Sequence, residues 1–172
     1  MREIIKDRQV VQDDWQLLKL EEGQTAEDVT VPAGKVIVPL KVWQAQGALR
    51  TRGDIGVWFA SDERPEAVKD DVALLPLIAV DFPKFADGRG YSIAYNLRAR
   101  HGYTGELRAI GDVLRDQLFY MQRVGFNAFA TRPDRNIHDA LKGLSDFSEV
   151  YQTSWDQKSP LFRRVAGTRA QA

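Results

Sequence analysis

The chain has no cysteine among its 172 residues. That absence excludes structural disulfides, a thiolate nucleophile, cysteine-ligated zinc and a self-held iron–sulfur cluster. Redox chemistry would need a bound organic cofactor or a partner protein. Histidine is nearly missing too: His101 and His138 stand alone, without the spacing of a metal-ligand pair. Neither sign of charge is in excess, since 24 basic residues face 24 acidic ones. A net charge of zero argues against a generic electrostatic grip on nucleic acid or on an anionic membrane. No apolar run approaches the roughly 18 residues of a membrane span. The opening MREIIKDRQVVQDDW is charged throughout and has no signal-peptide core. These absences lead us to expect a cytoplasmic protein.

What is present is an alternation. Residues 1–34 form a β-prone preface, with short apolar runs at Ile4-Ile5, Val10-Val11 and Trp15–Leu20 and turn signals at Glu21–Gln24 and Pro32–Gly34. A hairpin or meander packed on one edge or end of the main domain is expected there. From Lys35 onward, strands are expected at Val36–Val38, Ile55–Ala60, Leu77–Asp81, Glu106–Ile110, Phe126–Thr131 and Phe147–Gln152. Helices should fall at Leu40–Arg50, from Pro65 to Asp71, at Gly90–His101, at Val113–Val124 with Asp112 as N-cap, and on the Ile137/Ala140/Leu141/Leu144 face. Six βα units with short connections predict an α/β fold with a mainly parallel sheet over residues 35–155. An open, doubly wound sheet and an incomplete TIM-like barrel both satisfy the pattern. The barrel would be completed by the N-terminal strands or by a second subunit, so a homo-oligomer is among the expectations. Residues 156–172 lack a core pattern and read as a flexible or loosely docked tail.

The stretch from Ala86 to Arg132 carries seven arginines and no lysine. Arginine is favoured over lysine where a planar, permanently charged fork must pair with a carboxylate or an oxyanion. The stretch therefore holds either an ion-pair lattice or an anion site. Ligands of parallel sheets bind at the carboxyl ends of the strands, a rule that collects Ser61, Asp62, Asp81, Asp87, Arg89, Asp112, Thr131 and Arg132 on one rim. Asp87-Gly88-Arg89-Gly90 is the leading loop: its glycines allow close approach of a ligand and Arg89 could fork onto an anion. Equally, Asp87 could cap the helix and Arg89 could pair with an acid such as Asp112. Arg108 lies within a strand and points away from Leu107 and Ala109, either paired with Glu106 or Asp81 or aimed at a ligand. Asp87 and Asp112 are the candidate acid or base, and Gly88, Gly90 and Arg132 complete the candidate ligand set. Asp81, Asp87 and Asp112 could together offer hard oxygen ligands to magnesium. Arg98, Arg100, Arg115 and Asp116 read as solvated helix faces. A dinucleotide fingerprint is not met, because its third glycine position falls on Ile93.

Several of these segments also carry a resemblance. Phe82-Pro83, Phe85, Asp87-Gly88-Arg89-Gly90-Tyr91-Ser92, Leu97-Arg98, Gly102-Tyr103, Gly105–Ala109, Gly111-Asp112-Val113, Arg123 and Gly125-Phe126 resemble a bacterial family, number 934 in the domain-of-unknown-function series. That family is commonly labelled a probable oxidoreductase involved in sulfite reduction, and its genes tend to lie beside those for sulfite reductase. The resemblance spans roughly Lys35 to Gln152. It implies an accessory protein of sulfite reduction that binds a small oxyanion or the reductase, with a cofactor-dependent oxidoreductase and a non-catalytic scaffold as alternatives. It assigns no cofactor and no catalytic residue; a hydride-transfer version would need a flavin or a nicotinamide.

Overall fold

The computed structural model describes residues 2–169. Its eight strands are β1 (Arg2–Lys6), β2 (Gln9–Asp13), β3 (Gln16–Leu17), β4 (Val36–Pro39), β5 (Ile55–Phe59), β6 (Leu77–Phe82), β7 (Glu106–Gly111) and β8 (Ala128–Phe129). They form one sheet in the order β2-β1-β8-β7-β6-β5-β4-β3. From β3 through to β8 every pairing is parallel, and only β1 runs antiparallel to both its neighbours. The expected α/β class and mainly parallel sheet are therefore observed.

The N-terminal preface is built into that sheet at both edges. The β1–β2 hairpin, turned through Asp7 and Arg8 at positive φ, adds to β8, while β3 adds to β4. Only Asp14 and Trp15 separate β2 from β3, a link that spans at most about 11 Å. In a flat sheet seven strand spacings would hold those edges about 34 Å apart. The sheet must curl until its edges meet at this link, giving a half-barrel.

Packing on the two faces agrees with the curl. Ile4 of β1 and Ile37 of β4 stand five places apart in the strand order, yet share one concave-side cluster with Leu77, Ala79, Ile110 and Ala130. Trp58 of β5 donates its indole N–H across to the Leu18 carbonyl at 2.9 Å. The large core lies on the convex side, where Val36, Val57, Ile78, Val80, Phe82, Leu107 and Phe129 meet side chains from the helices. Strands buried on both faces explain the near-continuous apolar runs, such as Leu77–Val80.

The helices are α1 (Leu40–Ala45), α2 (Arg89–Ala99), α3 (Arg115–Val124), α4 (Ile137–Lys142) and α5 (Leu161–Arg169). Several sequence expectations change. The first helix gives way after Ala45 to a 3₁₀ turn at Gly47–Thr51. The segment after Pro65 is 3₁₀, not α. Asp112 does not cap α3, which begins at Arg115, because its carboxylate is taken by other partners. The expected sixth strand at 147–152 is irregular chain with bends, and the expected fifth shrinks to two residues. Beyond it, Asp156 pairs with Arg123 and the residues expected as tail include α5. No helix among the described residues is long and apolar enough to cross a membrane.

Candidate functional site

Parallel pairing carries the ends of β4 to β8 to one rim, and the strand parity decides what each end presents there. On β6, Ile78, Val80 and Phe82 lie under the helices, so Leu77, Ala79 and Asp81 alternate onto the concave face. Asp81 is half-buried, and its carboxylate makes no hydrogen bond or ion pair with a described residue. Burial pushes its carboxyl pKa up, with Lys19 pulling the other way and Asp87 adding to the rise. Gly111, at φ +92°, stands so close that a Cβ there would meet Asp81 Oδ1 and the Phe82 carbonyl oxygen at 2.5 Å.

In the next loop Arg89 forks onto Asp87, with Nε to Oδ1 at 3.0 Å and Nη2 to Oδ2 at 2.6 Å. Asp87 also accepts the Arg89 backbone N–H and the Ser61 hydroxyl. The Arg89 and Ser61 hydrogen bonds hold its carboxyl far below the ordinary carboxylate range. Gly90 is explained by packing: a Cβ there would meet the Phe82 ring at 2.6 Å, so the glycine lets the first turn of α2 sit on the end of β6.

Asp112 ties three loops together. Its Oδ2 accepts the Phe85 N–H at 2.9 Å and its Oδ1 accepts Arg132 Nη1 at 3.2 Å. Arg132 in turn forks onto Asp134 through Nε and Nη2, both at 2.9 Å. Beside this cluster a hollow of about 490 Å³ opens between the loops after β7 and β8, lined by Asp116, Asp134, Asp139, Arg115 and Arg135 among others.

Arg108 is not part of the rim. It is 2% exposed on the concave face, where Nε and Nη2 bind Glu106 Oε1 and Nη1 binds both oxygens of Asp13 at 3.0 Å. Lys6 Nζ completes the chain at 2.7 Å from the other Glu106 oxygen. Glu106 was among the expected partners. Asp13 and Lys6 come from the N-terminal hairpin and carry no local signal that could have named them.

Arg98 corrects an expectation. It is buried rather than solvated, donating to the carbonyls of Gly125, Tyr103 and Gly105 and to Asn127 Oδ1 at 2.7–3.2 Å. Burial lowers its pKa, a shift opposed by Tyr103 and Asp7. Arg115, also expected in solvent, reaches Asp139 and Asp146 at the surface. Among the described residues no group of three or more histidine, aspartate or glutamate side chains is placed to hold a metal. Asp81, Asp87 and Asp112 thus do not assemble as magnesium ligands.

Fold and rim together define a mixed α/β protein with a curled, mostly parallel sheet and strand ends laced by arginine–carboxylate pairs. Residues 56–162 match the model of the family described as "Bacterial protein of unknown function (DUF934)", and the chain belongs to that family. No curated protein matches the chain.

Proposed function

We propose that this chain is a non-catalytic accessory protein of sulfite reduction, acting in the cytoplasm, and that its strand-end rim binds the reductase rather than a free oxyanion. The observation that carries the mode of binding is the saturation of the rim arginines. Arg89 and Arg132 already hold a carboxylate in the side-on fork an oxyanion would need, and Arg108 is sealed away between Glu106 and Asp13. A sulfite ion would have to displace a tethered carboxylate two residues away, at high effective concentration. A protein surface can instead dock over the pairs without breaking them. The link to sulfite reduction rests on the family resemblance of the motifs around Asp87 and Gly111.

Capture from a sulfate-grown host tests this reading. Sulfite reductase is expected to co-purify with the intact chain and to be lost from an Arg89→Glu/Arg132→Glu variant, while calorimetry with sulfite and sulfate shows no binding. Sulfite binding that Arg89→Ala abolishes, without capture of the reductase, would overturn it.

Asp81 favours a second reading. A half-buried carboxyl with a raised pKa at the end of a central parallel strand is where an α/β enzyme holds an acid or base. Asp87, held ionised by Arg89, and Asp112, committed to three loops, suit that role less well. A bound flavin or nicotinamide in the purified protein, detected by mass spectrometry, would support the enzymatic reading over the accessory one.

A further inference from the structure

A second surface lies away from the rim, in the groove between α2 and α3. Helical spacing puts Tyr91 and Tyr95 on one face of α2, and Tyr120 on α3 closes against them with its ring centroid 5.1 Å from that of Tyr91. Tyr95 and Tyr120 are left 40% and 57% exposed. The third wall is the chain after Gln152. Arg123, a buried residue in the last turn of α3, fixes it by binding both Asp156 oxygens at 3.0–3.1 Å and the Gln152 carbonyl at 2.6 Å. The groove is open to solvent and measures about 620 Å³.

Its electrostatics set it apart from the rest of the surface. Arg100 at the end of α2 and Lys158 on the third wall both line the groove, and no carboxylate is among its described lining residues. The rim hollow, by contrast, has three aspartates in its wall. The Arg100 guanidinium makes no hydrogen bond or ion pair with any described residue, in a chain whose arginines are mostly matched to carboxylates or carbonyls. Lys158 is held over the Trp155 ring, 4.3 Å from its centroid, and its ammonium pairs with no carboxylate among the described residues.

We propose that this groove docks an acidic segment of a partner protein, one that alternates carboxylates with aromatic or aliphatic side chains. Tyrosines give large contact area with few rotamers to freeze, and they are enriched at protein interfaces for that reason. The two cations sit on different walls, so they match charges spaced along a chain rather than one small oxyanion. Two cations on a chain of zero net charge are too few for a nucleic-acid backbone. The pinned third wall means that little ordering is needed on binding. The inference is independent of what the rim binds.

Fluorescence anisotropy on the full chain tests it, with a labelled peptide alternating glutamate and phenylalanine and its glutamine counterpart as probes. The acidic peptide is expected to bind saturably and to weaken in high salt. Arg100→Glu with Lys158→Glu should cut its affinity roughly tenfold or more, as expected for reversed charges at an interface. Tyr120→Ala should also weaken it, and the glutamine peptide should not bind. Arg100→Glu alone supplies a variant at an exposed, unpaired site, with an unchanged thermal midpoint as the folding control. The proposal is overturned if the acidic peptide does not bind, if charge reversal leaves binding unchanged, or if the glutamine peptide binds equally. It is also overturned, in favour of a small anion, if inorganic phosphate or a mononucleotide displaces the peptide and loses binding in the same variants.

Discussion

Four arginines are gripped by a carboxylate two residues away: Arg52 by Asp54, Arg89 by Asp87, Arg108 by Glu106 and Arg132 by Asp134. In extended or turning backbone, residues i and i+2 project to the same side, and the guanidinium then meets its partner edge-on through Nε and Nη2. Burial separates their energetics. The exposed pairs are screened by solvent and contribute little, whereas Arg108 and both its acids are desolvated. Arg108→Met would leave Asp13 without a counter-charge and Glu106 with Lys6 alone. We expect a loss of about 3–5 kcal/mol, read from urea denaturation midpoints. Asp81 gives the opposite sign. Its folded pKa is raised by burial, so in the window above its unfolded value the folded state binds more protons and stability falls as pH rises. Asp81→Asn should therefore raise the thermal midpoint at pH 7, with the gain shrinking as pH falls toward 4.

At the scale of elements, the junction of α2, α3 and β8 is closely packed. Gly125 ends α3 at φ +119°, and a Cβ there would lie 2.5 Å from Arg98 Cγ and 3.2 Å from the Trp155 ring. Backbone conformation and space both demand glycine. Gly125→Ala is expected to cost more than the roughly 1 kcal/mol of an ordinary misplaced alanine, because Arg98 must also give up part of its four-acceptor site. Thermal denaturation, together with amide exchange at Tyr103 and Asn127, would register both effects. Helix existence here was legible from the apolar periodicity of Leu114, Leu118 and Met121, of which Leu114 falls just outside α3. The starting point of α3 was not, since Asp112 looks like an N-cap until Phe85 and Arg132 claim its oxygens.

Across the whole molecule the paired carboxylates act together on acid stability. Asp14, Asp54, Asp87, Asp134 and Glu149 all have pKa values lowered by a hydrogen-bonded lysine or arginine. Each contributes stability that is present above its unfolded pKa of about 4 and is lost as pH falls through the lower folded value. The unfolding free energy should hold level from pH 7 to about pH 5 and then fall toward pH 2. Denaturant titrations across that range would show it. A flat profile to pH 2 would mean that the pairs are open in solution.

The strands β4 to β7, their parallel sense and the ion-pair alternative for the arginine bias were within reach of the sequence. Each is local: alternation, turn residues, short βα connections and acids at i±2 all act over a few residues. The choice between an open sheet and an incomplete barrel was out of reach, and so was the burial of Arg98 and the claim of Asp13 on Arg108 across 95 residues of chain. Those features depend on which edge each N-terminal strand joins. Long-range pairing settles that choice, and no propensity of the two-residue link at Asp14 and Trp15 reveals it. The sequence by itself thus determined the elements and the chemistry of their ends. Only the tertiary structure decided which charges were spent on the fold and which, at Arg100 and Lys158, were left for a partner.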